Sequence, residues 1–318
     1  MKQKKICKAV WDFVSYDEED KESLRFENPA LRYLSEEQAK EWIRFGTFGN
    51  IHTLSDELEL LVSNFPKALP KNRKITLIDL GCGDGISSAK TIRLLFDHEY
   101  DIADYYAIDF NQTLIDITAE RVCSLGGLPI SKFHSCCASF ETLIENKSFP
   151  WRAEQQTNNN SNVLQFFLGN TYNNFEPEKI TKLLQALVAY NERVIIGVKV
   201  RPSFSTLDAE RIIHEYQSFG NAFTFSFGHL LGLRDEEMTR EVIYNSALNC
   251  LEIWLHTSKE IIPPTMPDIR ATKLLVFKSY RPTIEEIHAQ LRTLFISKCW
   301  RSKNSDDAIF YCKRENEF

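Results

Sequence analysis

The sequence has no long hydrophobic run, no excess of basic charge and no paired-cysteine spacing. No stretch approaches the roughly 18 consecutive apolar residues of a membrane-spanning helix, so no membrane association is expected. Basic residues number 38 against 44 acidic ones, a formal charge of −6. Non-specific nucleic-acid binding is carried by basic domains, so nucleic acid is disfavoured as a partner. The eight cysteines (Cys7, Cys82, Cys123, Cys136, Cys137, Cys250, Cys299 and Cys312) include no CxxC pair. Adjacent Cys136 and Cys137 suit neither an ordinary disulfide nor a tetrahedral zinc site, which points to reduced thiols. His134, His214, His229, His256 and His288 lack metal-ligand spacing, and no metal is expected. The nucleophile elbow GxSxG and the phosphate loop GxxxxGK[ST] are both missing, which argues against hydrolase and NTP-binding chemistry. Residues 1–20 begin basic but turn acidic before any long apolar region, a poor export signal, and a cytoplasmic location is expected. No internal repeat is found.

What is present is a chain of 318 residues, 43% hydrophobic, enough for a large core in one or two domains. Residues 1–70 read as a helical N-terminal segment, with Leu58, Leu60, Leu61 and Phe65 at helical spacing. Pro70 to Lys74 is a turn. Apolar strands follow at Ile75–Leu80, Asp104–Asp109, near Ile130–His134, Val163–Leu168 and Arg193–Val200. Helices over Ile86–Phe96, Gln112–Ser124 and Pro177–Tyr190 separate them, and the Asn-rich tract Gln155–Asn162 reads as a surface loop. This alternation predicts a parallel sheet with right-handed crossovers, a core over 71–202. The rhythm breaks after Pro202. Residues 203–280 read as an inserted substrate-binding region, with strands at Cys250–His256 and Lys273–Tyr280. Residues 281–318 supply a helix, Thr283–Leu294, and an antiparallel pair near Ile296–Trp300 and Ala308–Cys312 that completes the core sheet.

The densest chemical signal is Leu77-Ile-Asp-Leu-Gly-Cys-Gly-Asp-Gly85. Gly81, Gly83 and Gly85 permit a tight loop that a ligand can approach closely, and the next helix opens with unused N–H groups. Dinucleotide enzymes use GxGxxG. Here the spacing is GxGxG, with Asp79 just ahead, and it resembles motif I of the S-adenosylmethionine (SAM)-dependent methyltransferases. SAM carries an ammonium and a sulfonium, so an acid near the loop is sensible chemistry. Asp109 ends the second strand, 24 residues after Gly85, where a carboxylate can accept from two ribose hydroxyls; helix capping near Gln112 is the plainer alternative. Ser139 and Phe140 follow the third strand, where an aromatic ring can stack on adenine or simply fill the core. Leu168-Gly-Asn-Thr-Tyr-Asn-Asn-Phe175 ends the fourth strand. Its amides, Asn170 and Asn174 among them, can orient an acceptor or the methionine moiety, or form a turn.

On these residues the chain resembles a narrower family, the histidine-specific methyltransferases typified by the ergothioneine-pathway histidine Nα-methyltransferases, over roughly residues 31–313. Four places carry it: Asp79-Leu-Gly-Cys-Gly83, Tyr105-Tyr-Ala-Ile-Asp109 (the family's Y-x-P-x-D), Phe167 to Phe175 (its F-L-G-S-T-I-G-N-F), and Tyr216 to Leu231. The resemblance implies a Rossmann-like class I SAM-dependent methyltransferase with S-adenosylhomocysteine (SAH) as product. It implies that Gly81 and Asp109 bind SAM and that Phe140 flanks adenine. Ser139 stands where the family has Asp. Asn174 and Tyr216 stand where the family contacts its acceptor. The family grips histidine with a Glu and a Ser ahead of a Lys; aligned on Lys278, those positions hold Leu274 and Val276. Loss of two buried polar partners weakens amino-acid recognition. The expected activity is therefore N-methylation of a small amine or amino-acid-like acceptor. Two alternatives stay open. One is a protein or other macromolecule as acceptor, docked on Phe223, Phe225 and Phe227 with Lys199, Arg201 and Lys278. The other is a SAM-binding protein without turnover.

Overall fold

The computed structural model describes residues 10–11, 14–16, 20–26, 28–48, 53–69, 74–155, 162–169, 171–201, 206–218, 221–303 and 306–314. In chain order the described elements begin with β1 (Ser15–Tyr16), β2 (Ser23–Arg25), α1 (Glu36–Phe48) and α2 (Thr53–Ala68). There follow β3 (Lys74–Leu80), α3 (Ile86–Asp97), β4 (Asp101–Asp109), α4 (Gln112–Ser124), β5 (Phe133–Cys137), α5 (Phe140–Glu145) and α6 (Pro150–Gln155). Next come β6 (Asn162–Phe167), α7 (Pro177–Leu187), β7 (Arg193–Lys199), α8 (Thr206–Ser218) and α9 (Ala222–Leu230). The chain closes with β8 (Met238–Asn245), β9 (Cys250–Ile261), β10 (Ala271–Tyr280), α10 (Ile284–Leu291), β11 (Ile296–Arg301) and β12 (Asp307–Lys313). The turn expected at Pro70–Lys74 and the Asn-rich loop fall mainly outside the described residues, as do Cys7 and Asn170.

Two compact units result: residues 1–51 with 203–281, and residues 52–202 with 282–318. The second holds a seven-stranded sheet in the order β11-β12-β7-β6-β3-β4-β5. From β7 to β5 every pairing is parallel, and β12 runs antiparallel to both β7 and β11. The strand sequences explain this layering. In β3, Leu77 joins one apolar cluster, with Tyr105, Leu164, Phe166 and Ile195. Ile78 and Leu80 join another, with Ile108, Phe167 and Ile196. Such continuously apolar strands bury both faces, as parallel sheets covered by helices require.

Local chemistry sets the element ends. The strand expected from Ile130 starts instead at Phe133, because Pro129, at φ −59°, leads into a 3-10 turn over Ile130–Lys132. The helix expected to reach Tyr190 stops at Leu187, where Val188 turns extended. The Leu187 carbonyl accepts from Gln165 Nε2 at 2.9 Å and from Arg152 Nη2 at 2.8 Å, so that terminus is satisfied by side chains. Thr283 caps α10 in a reciprocal pair: its hydroxyl accepts from Glu286 N at 3.1 Å, and its own N–H donates to Glu286 Oε2 at 2.7 Å.

The other unit contains a five-stranded sheet, β1-β2-β10-β9-β8. Its strand β2 comes from the N-terminal segment and pairs parallel with β10. Phe223, Phe225 and Phe227 alternate in sequence yet lie on helix α9, and all are buried. Phe227 meets Phe26 edge-on at 4.8 Å, and Phe223 lies 5.6 Å from Trp42. Thr224 and Ser226 are buried with them, so α9 is a core helix. Lys199, Arg201 and Lys278 are likewise withdrawn from solvent, so these residues form no exposed docking surface.

Candidate cofactor site

The glycine loop folds back on the end of β4. Gly81 N and Cys82 N both donate to Ile108 O, at 2.8 and 3.1 Å. Gly81 and Gly85 adopt φ of +77° and +71°, a region L side chains avoid. At Gly85 the space is also filled, since a Cβ would stand 2.8 Å from Thr118 Cα. Helix α4 therefore packs directly on the loop, and Thr118 Oγ1 donates to Gly83 O at 3.0 Å. Beside Gly83 the surroundings open: a Cβ there would meet only Gly81 O, at 3.9 Å. At Gly81 a Cβ would approach Thr171 Cγ2 at 3.2 Å and the Phe140 ring at 3.7 Å. The loop, the start of α5 and the turn after β6 thus converge on one place.

Asp109 sits at that place, buried at the end of β4. One carboxylate oxygen accepts from Asn111 N at 3.0 Å and the other from Gly83 N at 3.3 Å. The capping alternative is answered by Asn111, whose side chain accepts from Thr113 N and Leu114 N at the head of α4. The two carboxylate oxygens offer about four acceptor sites, so the group can still take a hydroxyl. Burial lifts Asp109 to about 6 against the pull of the Asn111, Gly83 and Phe110 N–H groups, with the charge of Asp79 adding to the rise.

Asp79 has a different setting. Its Oδ2 accepts from Tyr105 OH at 2.6 Å and from Ser88 Oγ, tying β3 to β4 and to the first turn of α3. Burial raises it to about 6, and these two hydroxyls oppose the rise. Ser139 accepts from Thr142 N at 3.1 Å as the cap of α5. The following ring, Phe140, packs against Phe167 at 5.5 Å and Phe175 at 6.1 Å.

Two residues organise the turn after β6: Asn173, one of the amides marked in the sequence, and Glu57, which sequence reasoning passed over. The Asn173 amide bridges to β7, donating to Lys199 O at 2.8 Å and accepting from Lys199 N at 3.0 Å. Glu57 on α2 is buried, with both carboxyl oxygens 3.3 Å from Gly169 N. A Cβ at Gly197 would fall inside the Glu57 carboxyl, so the glycine of β7 makes room for it. Burial and the charge of Asp307 raise Glu57 to about 8; Gly169 N–H and Lys199 oppose this, and Asp79 reinforces it. A sequence signal existed: Glu57 lies one turn before Leu61 on the apolar stripe of α2, where a carboxyl is out of place. Asn174 is partly buried and its N–H donates to Thr171 O at 3.2 Å.

Tyr216 belongs to the other unit, where its hydroxyl accepts from buried Arg281 at 3.0 Å and its ring lies 5.9 Å from Phe277. Leu274 and Val276 are buried apolar residues of β10.

A parallel sheet of this order, closed by an antiparallel hairpin and carrying a GxGxG loop beside a strand-end acid, is the Rossmann-like class I fold of SAM-dependent methyltransferases. The chain belongs to the histidine-specific, SAM-dependent methyltransferase family, whose sequence profile matches residues 52–306. It is a methyltransferase that takes SAM as methyl donor. Similar solved structures include the PH0226 protein of Pyrococcus horikoshii OT3, at 14% identity and TM-score 0.49, covering 86% of this chain and 99% of that one. Another is SAM-bound CalS10, an amino pentose methyltransferase from Micromonospora echinaspora, at 11% identity and TM-score 0.43, covering 86% and 96%. A third is a SAM-dependent methyltransferase from Bacteroides fragilis in complex with SAH, at 9% identity and TM-score 0.41, covering 80% and 78%. No curated protein matches the chain. Among the described residues, no helix is long and apolar enough to cross a membrane, and no cluster of His, Cys, Asp and Glu is suited to a metal ion.

Proposed function

We propose that the chain methylates a nitrogen of a small amine or amino-acid-like acceptor, using a donor site built from Gly81, Gly83, Gly85, Asp109, Ser139 and Phe140, with Asp79 behind the loop. The observation that carries the donor site is the Asp109 carboxylate, fixed between Gly83 N–H and Asn111 N–H at the carboxyl end of β4. A diol-bearing nucleoside fits such a fixed pair of acceptors, with room beside Gly83 and an aromatic ring beside Gly81. SAM brings a methyl already activated by its sulfonium. The remaining task of the protein is alignment, which lowers the barrier by holding acceptor and donor in a near-attack arrangement.

For the acceptor, Asn174 lies in the turn that ends β6, where open parallel sheets gather ligands. Asn170 and Tyr216 are proposed as acceptor contacts on the family resemblance. On the same resemblance, Leu274 and Val276 stand at the positions of the family's Glu and Ser, which favours an acceptor making fewer polar contacts than histidine. The absence of a spanning helix among the described residues and the acidic net charge agree with a small-molecule acceptor met in the cytoplasm.

Titration calorimetry with SAM and SAH, followed by SAH-release assays on histidine and a panel of amines, tests this reading. Binding of both ligands with turnover of a small amine is expected. Binding with turnover of peptides alone would refute the small acceptor, and no binding by folded protein would refute the donor site.

A further inference from the structure

Glu57 is a costly residue for stability alone. A carboxyl on the apolar stripe of α2 loses its hydration, and removing it from water is penalised unless it is neutralised or paired. The fold nevertheless makes space for it: β7 carries Gly197 where any side chain would collide with the carboxyl. The carboxyl reaches Gly169 N, at the carboxyl end of β6, the turn proposed above to meet donor and acceptor. The charges that act on it come from three strands: Asp307 of β12, Lys199 of β7 and Asp79 of β3. All four residues are buried, and three of them carry carboxyls against the single ammonium of Lys199. Burial first, and the charge of Asp307 second, keep Glu57 protonated at neutral pH, and the excess of carboxyls invites a further cation. SAM has a net positive charge because of its sulfonium, and SAH lacks that charge.

We propose that Glu57 is a specificity-determining group of the donor site, which gives up its proton to become the counter-charge of the donor's sulfonium and so separates SAM from its demethylated product. The inference rests on the donor-site reading above. No direct contact is required, since charges in a poorly solvated interior interact over several ångströms. The proton lost from the carboxyl passes to buffer, and the released SAH leaves a site that takes the proton back. Because the counter-charge favours the charged donor over the neutral product, it acts on the exchange of product for fresh donor and does not lower the barrier to transfer.

Calorimetric titrations in two buffers of different ionisation enthalpy count the protons released. At neutral pH the wild type is expected to release up to about one proton per SAM bound from this group. Glu57→Gln removes that release and brings the SAM and SAH dissociation constants closer by about tenfold. SAM affinity of the wild type rises with pH until about 8 and then levels, where Glu57 is already ionised. Equal proton counts in wild type and variant overturn the proposal and leave the donor site standing. Failure of the folded wild type to bind SAM overturns both. Should Glu57→Gln not fold, infrared difference spectra of the wild type decide: the protonated-carboxyl band is lost on adding SAM and kept on adding SAH. Persistence of the band with SAM overturns the proposal.

Discussion

Asp79 and Asp109 show how neighbouring carboxylates acquire different duties. Asp109 takes its hydrogen bonds from backbone N–H groups at the rim of the sheet, whereas Asp79 takes them from two side-chain hydroxyls inside the core. Each carries its own test value. Replacement of Asp109 by Ala is expected to weaken SAM binding by about two to four orders of magnitude, roughly the loss of two charge-assisted hydrogen bonds. Calorimetry measures it, and unchanged affinity would remove the ribose role. Of the two acids, Asp109 was legible in the sequence because its distance from the glycine loop is fixed by one strand–helix–strand unit. The internal hydrogen bonds of Asp79 were not, since Ser88 and Tyr105 meet it only when α3 and β4 pack against β3.

At the scale of elements, the turn after β6 is held from two sides. Asn173 bonds both backbone groups of Lys199 at the end of β7, and Glu57 meets Gly169 from α2. Asn173→Ala leaves two buried backbone groups of Lys199 without that partner. A loss of about 2–4 kcal/mol of stability is expected, from two hydrogen bonds at about 1–2 kcal/mol each. Urea unfolding measures this, and a loss below half of that range would show the bridge to be dispensable. The same change is expected to raise KM for the acceptor as the turn loosens. The sequence marked this segment as unusual for its amides, but it could not tell an amide that bridges two strands from one that faces a ligand. The difference lies in which neighbour the register brings alongside.

For the whole molecule, the buried carboxyls set a pH signature. In the fold Asp79 and Asp109 are raised from 3.8 to about 6, and Glu57 from 4.5 to about 8. A raised acid binds its proton more tightly folded than unfolded. Its contribution to stability is complete below the unfolded value and is lost as pH rises through the folded value. Thermal stability of the ligand-free protein is therefore expected to fall in two stages as pH rises, more steeply up to about 6, less steeply from there to about 8, and then to level. In Glu57→Gln the upper stage should vanish. Scanning calorimetry across this range checks both, and a melting temperature that rises with pH would contradict the assigned burial of these groups.

The sequence by itself determined the parallel core, the glycine loop, the strand-end acid and the closing hairpin. Those features follow from local patterns: continuous apolar runs, left-handed turns that glycine permits, and element lengths that fix spacing along the chain. Tertiary structure alone decided that β2, from the N-terminal segment, joins the sheet of residues 203–281. It also decided that the alternating Phe223, Phe225 and Phe227 form a core helix, and that Glu57 lies against Gly197 and Gly169. Residues 57, 169 and 197 are far apart in the chain, and their meeting depends on packing a helix across two strands. A local pattern carries no record of that contact, because the energy that selects it comes from burial of the assembled surfaces.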